Sequence, residues 1–274
     1  MGLLSNKISR DDLKPGDHIY SWRTAFVYAH HGIYVGDGKV IHFTQGNGRE
    51  AGTGTFLDDI IVSSVPKANH GGDNIPCPKC GDQSNLNGVI SSCLDCFLAG
   101  GNLYFFEYNV SKAFFMAFPR GGTCTTAPSD SPEQVIFRAK FLLSKTEFGR
   151  YDLLKNNCED FTIYCKTGLV IFSKLGSSGQ ANSVAAARNV FSWSFAGSVA
   201  SLGSAAKYAL SSTAGFAVTG FGGVVLVGYG QYCVGRLNSD IGVRNDATKI
   251  AVEKLVELIP TIEGVSDNNN NKCS

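Results

Sequence analysis

The chain has 274 residues, enough for one full domain and a remainder or for two modest ones, and its 43% hydrophobic content excludes disorder throughout. Its 24 basic and 23 acidic side chains leave a net charge of +1, so no long-range field draws it to nucleic acid or to an anionic membrane. Glycine is in excess at 32 residues, charged side chains are scarce at 17%, and nine cysteines form an odd set whose spacing has to be read.

In chain order, the apolar pair Leu3-Leu4 is far too short for a signal-peptide core. The expectation is an intracellular, cytoplasmic and reducing setting, where clustered thiols read as metal ligands or nucleophiles. Gly2 opens a myristoylation-like start, but Asn6 stands where that motif wants Ser or Thr. Residues 15–66 read as strands and turns, with a hairpin from Tyr28 to Phe43 punctuated by Gly36-Asp37-Gly38. Residues 70–100 form a turn-rich cysteine segment. The stretch Asn102 to Phe118 suggests another strand pair, and Ser131-Pro132-Glu133 opens a helix through Leu143. A second helix begins at Asn157, a good N-cap with Asp160 completing a capping-box-like pair, and Gly168 suits its C-terminus.

Residues 176–262 read as a Gly/Ala/Ser-rich helical extension, and 263–274 as a disordered tail. Within 189–235 Lys207 is the only charge, so length permits a membrane span, while the glycine and serine content argues against one. The segment is either a membrane-contacting helical hairpin or a soluble helical pair covering an apolar face. From Asp246 to Ile259 an amphipathic helix is expected, with Ile250, Leu255 and Leu258 packing and Lys249, Glu253, Lys254 and Glu257 in water.

Two constellations carry chemistry. Cys77-Pro78-Lys79-Cys80 and, after twelve residues, Cys93-Leu94-Asp95-Cys96 are paired knuckles that suit tetrahedral Zn²⁺. Four thiolates leave no open coordination position, so the ion would be structural, stapling an insertion too small to fold on its own core. Cys158, in the first turn of its helix, meets free N–H groups and the positive end of the helix dipole, while Glu159 and Asp160 oppose ionisation, so a histidine partner is needed. Three of the five histidines, His30, His31 and His42, lie in the hairpin. With a Gly36–Gly38 loop, His42 faces Gly32 and shares a side with His30. With an Asp37-Gly38 loop it faces Ile33 and shares a side with His31.

The stretches Lys14-Pro15-Gly16-Asp17, His30 to Phe43 and Asn157-Cys158-Glu159-Asp160-Phe161 together resemble the lecithin:retinol acyltransferase (LRAT) domain. More narrowly they resemble the plant NC-domain proteins, over about residues 13–172 with the 70–100 segment as an insertion. The resemblance implies an α+β, papain-like, permuted NlpC/P60 fold in which an antiparallel sheet packs on helices. It also implies Cys158 as nucleophile, His30 as general base and His42 as the group that orients it, with His31 where many members carry tryptophan. Many animal members have His in place of Asp160. The implied activity moves an acyl chain from a phospholipid to the cysteine and on to an alcohol, an amine or water. Two other readings stand beside it: a non-catalytic scaffold for a protein partner or membrane, and a papain-like peptidase or amidase. The expected partner is a lipid or acyl ester, with membrane contact through 189–235 and no nucleic acid. No protein partner is indicated.

Overall fold

The computed structural model describes residues 6–23, 28–45, 76–83, 85–118, 120–152, 156–171 and 229–259. Gly2, His70, the 189–228 part of the uncharged stretch and the 263–274 tail lie outside the described residues. An antiparallel sheet of order β4-β3-β2-β1-β5 is built from β1 (His18–Arg23), β2 (Tyr28–Gly36), β3 (Lys39–Thr44), β4 (Gly88–Cys93) and β5 (Tyr104–Phe105). The helices are α1 (Leu94–Leu98), α2 (Lys112–Ala117), α3 (Pro132–Lys145), α4 (Cys158–Thr167), α5 (229–239) and α6 (252–259). A short ladder pairs β6 (Leu169–Val170) with β7 (Thr248–Lys249).

Every residue of β1 is buried, so the usual in-out alternation is lost and both faces of the sheet must be covered. On one face Ile33, Ile41, Phe43 and Val89 pack with Val135, Ala139 and Leu142 of α3 and with Phe161, Tyr164 and Cys165 of α4. On the other, Ile19 and Val40 pack with Leu94, Phe97 and Leu98 of α1 and with Leu103. Cys165 is therefore a core thiol, as its position two turns after Cys158 suggests.

The hairpin resolves the choice between the two registers. Asp37 and Gly38 both have positive φ, 52° and 65°, which makes the tight two-residue turn expected of an Asp-Gly pair. That turn pairs Gly36 with Lys39, but a register shift between Tyr34 and Gly36 follows, so the ladder continues as Tyr34↔Val40 and Ile33↔Ile41. The one extra residue, Val35, is a β-bulge, and Gly36 at φ 94° accommodates it. The bulge restores the register in which His42 faces Gly32 and His30 shares its side. Beyond Ile33 the two strands part. Among the described residues, Tyr28–Gly32 of β2 is laddered to β1 but not to β3.

Two expectations are corrected. Between Asn102 and Phe118 only Tyr104–Phe105 is strand, and Lys112–Ala117 is helical because the Ser111 hydroxyl caps it, accepting from the Phe114 N–H at 3.1 Å. The helix expected from Asp246 starts only at residue 252, since Thr248–Lys249 pairs with β6 and the Ile250 N–H donates to the Gly168 carbonyl at 2.9 Å. Val252, Leu255 and Ile259 are its buried residues, Leu258 is half-buried, and Glu253, Lys254 and Glu257 are exposed. Among the described residues no helix is long and apolar enough to cross a membrane.

Candidate active site

Helix α4 begins where local chemistry dictates. The Asn157 Oδ1 accepts from the Glu159 and Asp160 N–H groups at 2.8 and 3.3 Å, and Asp160 Oδ2 accepts from the Asn157 N–H at 3.0 Å, a complete capping box. Gly168, at φ 69°, ends the helix. All ten residues between are buried, so α4 is enclosed on every side and its first residue, Cys158, is held rigidly.

The Cys158 Sγ lies 2.7 Å from the Tyr28 hydroxyl, itself 2.8 Å from the Tyr151 hydroxyl. The Ala29 carbonyl is 3.8 Å away, and the His31 backbone N–H also faces the sulfur. Ala29 and His31 have the same parity on β2 and send their backbone groups to the same strand edge. The sulfur thus occupies the fork where β2 has left β3, taking the place of a missing ladder partner. Burial pushes the thiol up to about 12; the Tyr28 hydroxyl and the His31 N–H offset this in part, and Glu159 adds to it. Desolvation outweighs the helix dipole, and at neutral pH Cys158 is a protonated thiol.

His30 and His42 meet as the bulged register requires, Nε2 to Nδ1 at 2.9 Å. His42 Nε2 is 2.7 Å from the Ser92 Oγ; the Ser92 hydroxyl donates to Gln83 Oε1 at 2.6 Å, and Gln83 Nε2 donates to the Ser91 carbonyl at 2.7 Å. Both imidazoles pack against the Phe97 ring, His30 tilted and His42 edge-on, at centroid separations of 5.3 and 5.5 Å. Gly32 makes room for that ring: a Cβ there would come within 2.5 Å of Val40 Cγ1 and 2.8 Å of Phe97 Cε2. Burial holds both imidazoles in the neutral form, helped at His30 by His42 and then Arg23 and at His42 by Arg23, with His42 lowered to about 3 and His30 well below its ordinary value. His30 Nδ1 is buried and has no hydrogen-bond partner among the described residues.

The structure therefore brings His30 and His42 together and sets the Cys158 sulfur against the residues on either side of His30. No hydrogen bond joins the thiol to either imidazole; Tyr28 holds it instead. Sequence reasoning missed Tyr28, Tyr151, Ser92, Gln83 and Phe97. The available signals were the i, i+2 phase of Tyr28 with His30 and the adjacency of Ser92 and Phe97 to Cys93 and Cys96. A second buried pair lies on the α4 side: His18 Nε2 is 2.8 Å from His31 Nδ1 and 2.9 Å from the Thr162 hydroxyl, and His18 Nδ1 is 2.7 Å from the Tyr108 hydroxyl.

The sulfurs of Cys77, Cys80, Cys93 and Cys96 all lie within 4.8 Å of one another, close enough to hold one metal ion. Cys80 is 3.4 Å from Cys96, and Cys93 is 3.8 Å from both Cys77 and Cys80. A tetrahedron of metal–sulfur bonds of about 2.3 Å has edges of roughly 3.8 Å, so the donor set fits. Its two halves are shaped locally. The Gly81 N–H donates to the Cys77 carbonyl at 2.8 Å, and the Cys93 sulfur caps α1 by accepting from the Cys96 N–H at 3.5 Å.

These features define a class: a mixed α/β domain whose cysteine-bearing helix start docks on an antiparallel sheet that carries a histidine pair. The family model for lecithin retinol acyltransferase matches residues 11–171. The chain is 51% identical over 261 residues to the protein LEAD-SENSITIVE 1 of the plant Arabidopsis thaliana, an alignment spanning 94% of this chain and 92% of that relative. The chain belongs to the lecithin retinol acyltransferase family.

Proposed function

We propose that the protein is a thiol acyltransferase or lipid-ester hydrolase on a permuted NlpC/P60-like fold, with Cys158 as nucleophile, His30 as general base and His42 orienting His30. One observation carries this reading: His30 Nδ1 is a buried imidazole nitrogen without a partner among the described residues, on a strand whose adjoining residues touch the Cys158 sulfur. When substrate displaces the Tyr28 hydroxyl, the S–H proton passes to Nδ1 as sulfur attacks the ester carbonyl. The C–S bond forms, the C–O bond breaks, and the imidazolium returns the proton to the leaving alcohol. An alcohol, an amine or water, deprotonated by the same imidazole, then cleaves the thioester. The capping box occupies the N–H groups of Asn157, Glu159 and Asp160, which leaves the Cys158 N–H as the helix-start donor for the oxyanion.

The four-cysteine cluster would hold Zn²⁺ in a structural role, and residues 189–235 would supply contact with a lipid surface. Metal analysis should find one zinc per chain, lost in Cys80→Ser, and carbonate washing of membrane fractions tests the lipid contact. The activity itself is tested by incubating the protein with a phospholipid or an activated-ester probe. Intact mass should rise by one acyl group, and Cys158→Ala should abolish the gain. Absence of any adduct refutes the enzyme reading and leaves a non-catalytic scaffold, the reading favoured by the complete burial of Cys158.

A further inference from the structure

The side chains that surround His30 and His42 come from the metal-binding segment. Ser92 precedes Cys93, Phe97 follows Cys96, and Gln83 stands shortly after Cys80. Counting hydrogens along the chain of contacts fixes its polarity. Gln83 Nε2 donates to the Ser91 carbonyl, so the amide oxygen is the end that faces Ser92. Ser92 has one hydroxyl hydrogen and gives it to that oxygen. The Ser92 Oγ can then only accept from His42 Nε2, which must carry the proton. A neutral imidazole has one N–H, so His42 Nδ1 is an acceptor and His30 must donate to it from Nε2. The remaining nitrogen of His30, Nδ1, is left as a bare lone pair, and it is the buried atom without a partner.

We propose that Gln83 and Ser92 are positioning residues that set the tautomer of His30, and that the four-cysteine metal site, by holding the segment that carries them, keeps this imidazole ready to accept a proton. The inference deepens the reading of His30 as the base and rests on it. A bound ion would organise the knuckles from which Gln83, Ser92 and Phe97 project. Its removal would free the acceptor beyond His42, and the two imidazoles could then reverse their N–H positions, placing a hydrogen on the nitrogen that has to be empty.

Long-range ¹H–¹⁵N spectra of the full-length, metal-loaded protein distinguish protonated from unprotonated ring nitrogens without any need for turnover. In the native chain both His30 and His42 should carry the proton on Nε2. Ser92→Ala removes the acceptor for His42; the His30 and His42 signals should move to mixed or reversed tautomers, metal content should stay unchanged, and adduct formation at Cys158 should slow about 10- to 100-fold. Ser92→Thr, which keeps the hydroxyl, should restore both. Chelation of the native protein should change His30 and His42 in the same way and readdition of zinc should reverse it, while His18, held by Tyr108 and Thr162, and His31, bonded to His18, keep their signals. The proposal is overturned if Ser92→Ala leaves both tautomers in place, or if chelation moves all four histidines together or none. If the tautomers respond as expected but the native protein forms no adduct, the relay stands and the acyl-transfer reading falls. If adduct forms while the tautomers are indifferent to Ser92, acyl transfer stands and the relay falls.

Discussion

Lowering the pH from 7 to 5 should remove most of the stability of this domain. His18, His30, His31 and His42 are all fully buried. Burial lowers every one of these imidazoles, His31 and His42 to about 3 and the other two well below 6.5. In the folded state His31 and His42 stay neutral through pH 5, and burial disfavours the charged form of His18 and His30 in the same way, whereas in the unfolded chain each takes up a proton below about 6.5. The folded values are depressed, so the associated stability is present above pH 6.5 and is lost as the pH falls from there toward 3. Each histidine costs up to about 1.4 kcal/mol per pH unit in that window. Between pH 7 and 5, His31 and His42 alone remove about 4 kcal/mol, and His18 and His30 act in the same direction; a whole domain has only about 5–15 kcal/mol to lose. Denaturant titrations at pH 7, 6 and 5, followed by circular dichroism, measure this directly. An unfolding free energy that stays flat over that range would mean that the imidazoles titrate within the fold, refuting the neutral, desolvated pairs on which the proton relay depends.

Three further outcomes concern the site. A thiol held at about 12 is ionised to roughly one part in 10⁴ at pH 8, against about a quarter for an ordinary cysteine. The greater nucleophilicity of a high-pKa thiolate recovers about 40-fold, leaving Cys158 about 60-fold slower than free cysteine toward a small alkylating agent even before access is counted. Its rate, followed by peptide mapping, should rise tenfold per pH unit from 8 to 10; a plateau below pH 8 would contradict the protonated resting thiol. Tyr28→Phe should slow it further, because the Tyr28 hydrogen bond favours the thiolate. Gly32→Ala drives a Cβ into Val40 and Phe97, and should cost about 1–3 kcal/mol by denaturant midpoint while shifting the Phe97 ring off the imidazoles. Unchanged stability would show that this close approach does not matter.

What was legible in the sequence was local. The capping box at Asn157, the Gly168 terminus and the two Cys-x-x-Cys knuckles each depend on residues within a few positions of one another, and all appear where short-range chemistry puts them. Ser111 had the same kind of signal, but the aromatic run after it, Phe114-Phe115, reads equally as strand, and only the cap hydrogen bond decides for helix. Thr248–Lys249 was hidden for a different reason: its backbone is claimed by β6, nearly eighty residues away, and a helical pattern carries no trace of such a competitor. The His30–His42 pairing stood between, undecidable from turn length because the tight Asp37-Gly38 turn and the Val35 bulge have opposite effects on register.

The same distinction bears on the cysteine segment. Read along the chain it is an insertion, separated from both the hairpin and Cys158, and a staple is the natural role for it. In the sheet, however, β4 pairs with β3 through six consecutive residues, from Lys39↔Cys93 to Thr44↔Gly88. The strand that delivers Cys93 to the four-cysteine cluster is thus the strand beside the one that delivers His42. A residue one step before Cys93 reaches the His30–His42 pair, because successive strand residues point to opposite faces and only 3.2–3.4 Å separates them. A cluster built to close an insertion could sit anywhere on the surface; one placed at the end of β4 cannot change its geometry without moving Ser92. That continuity makes chelation a test of the imidazoles as well as of folding.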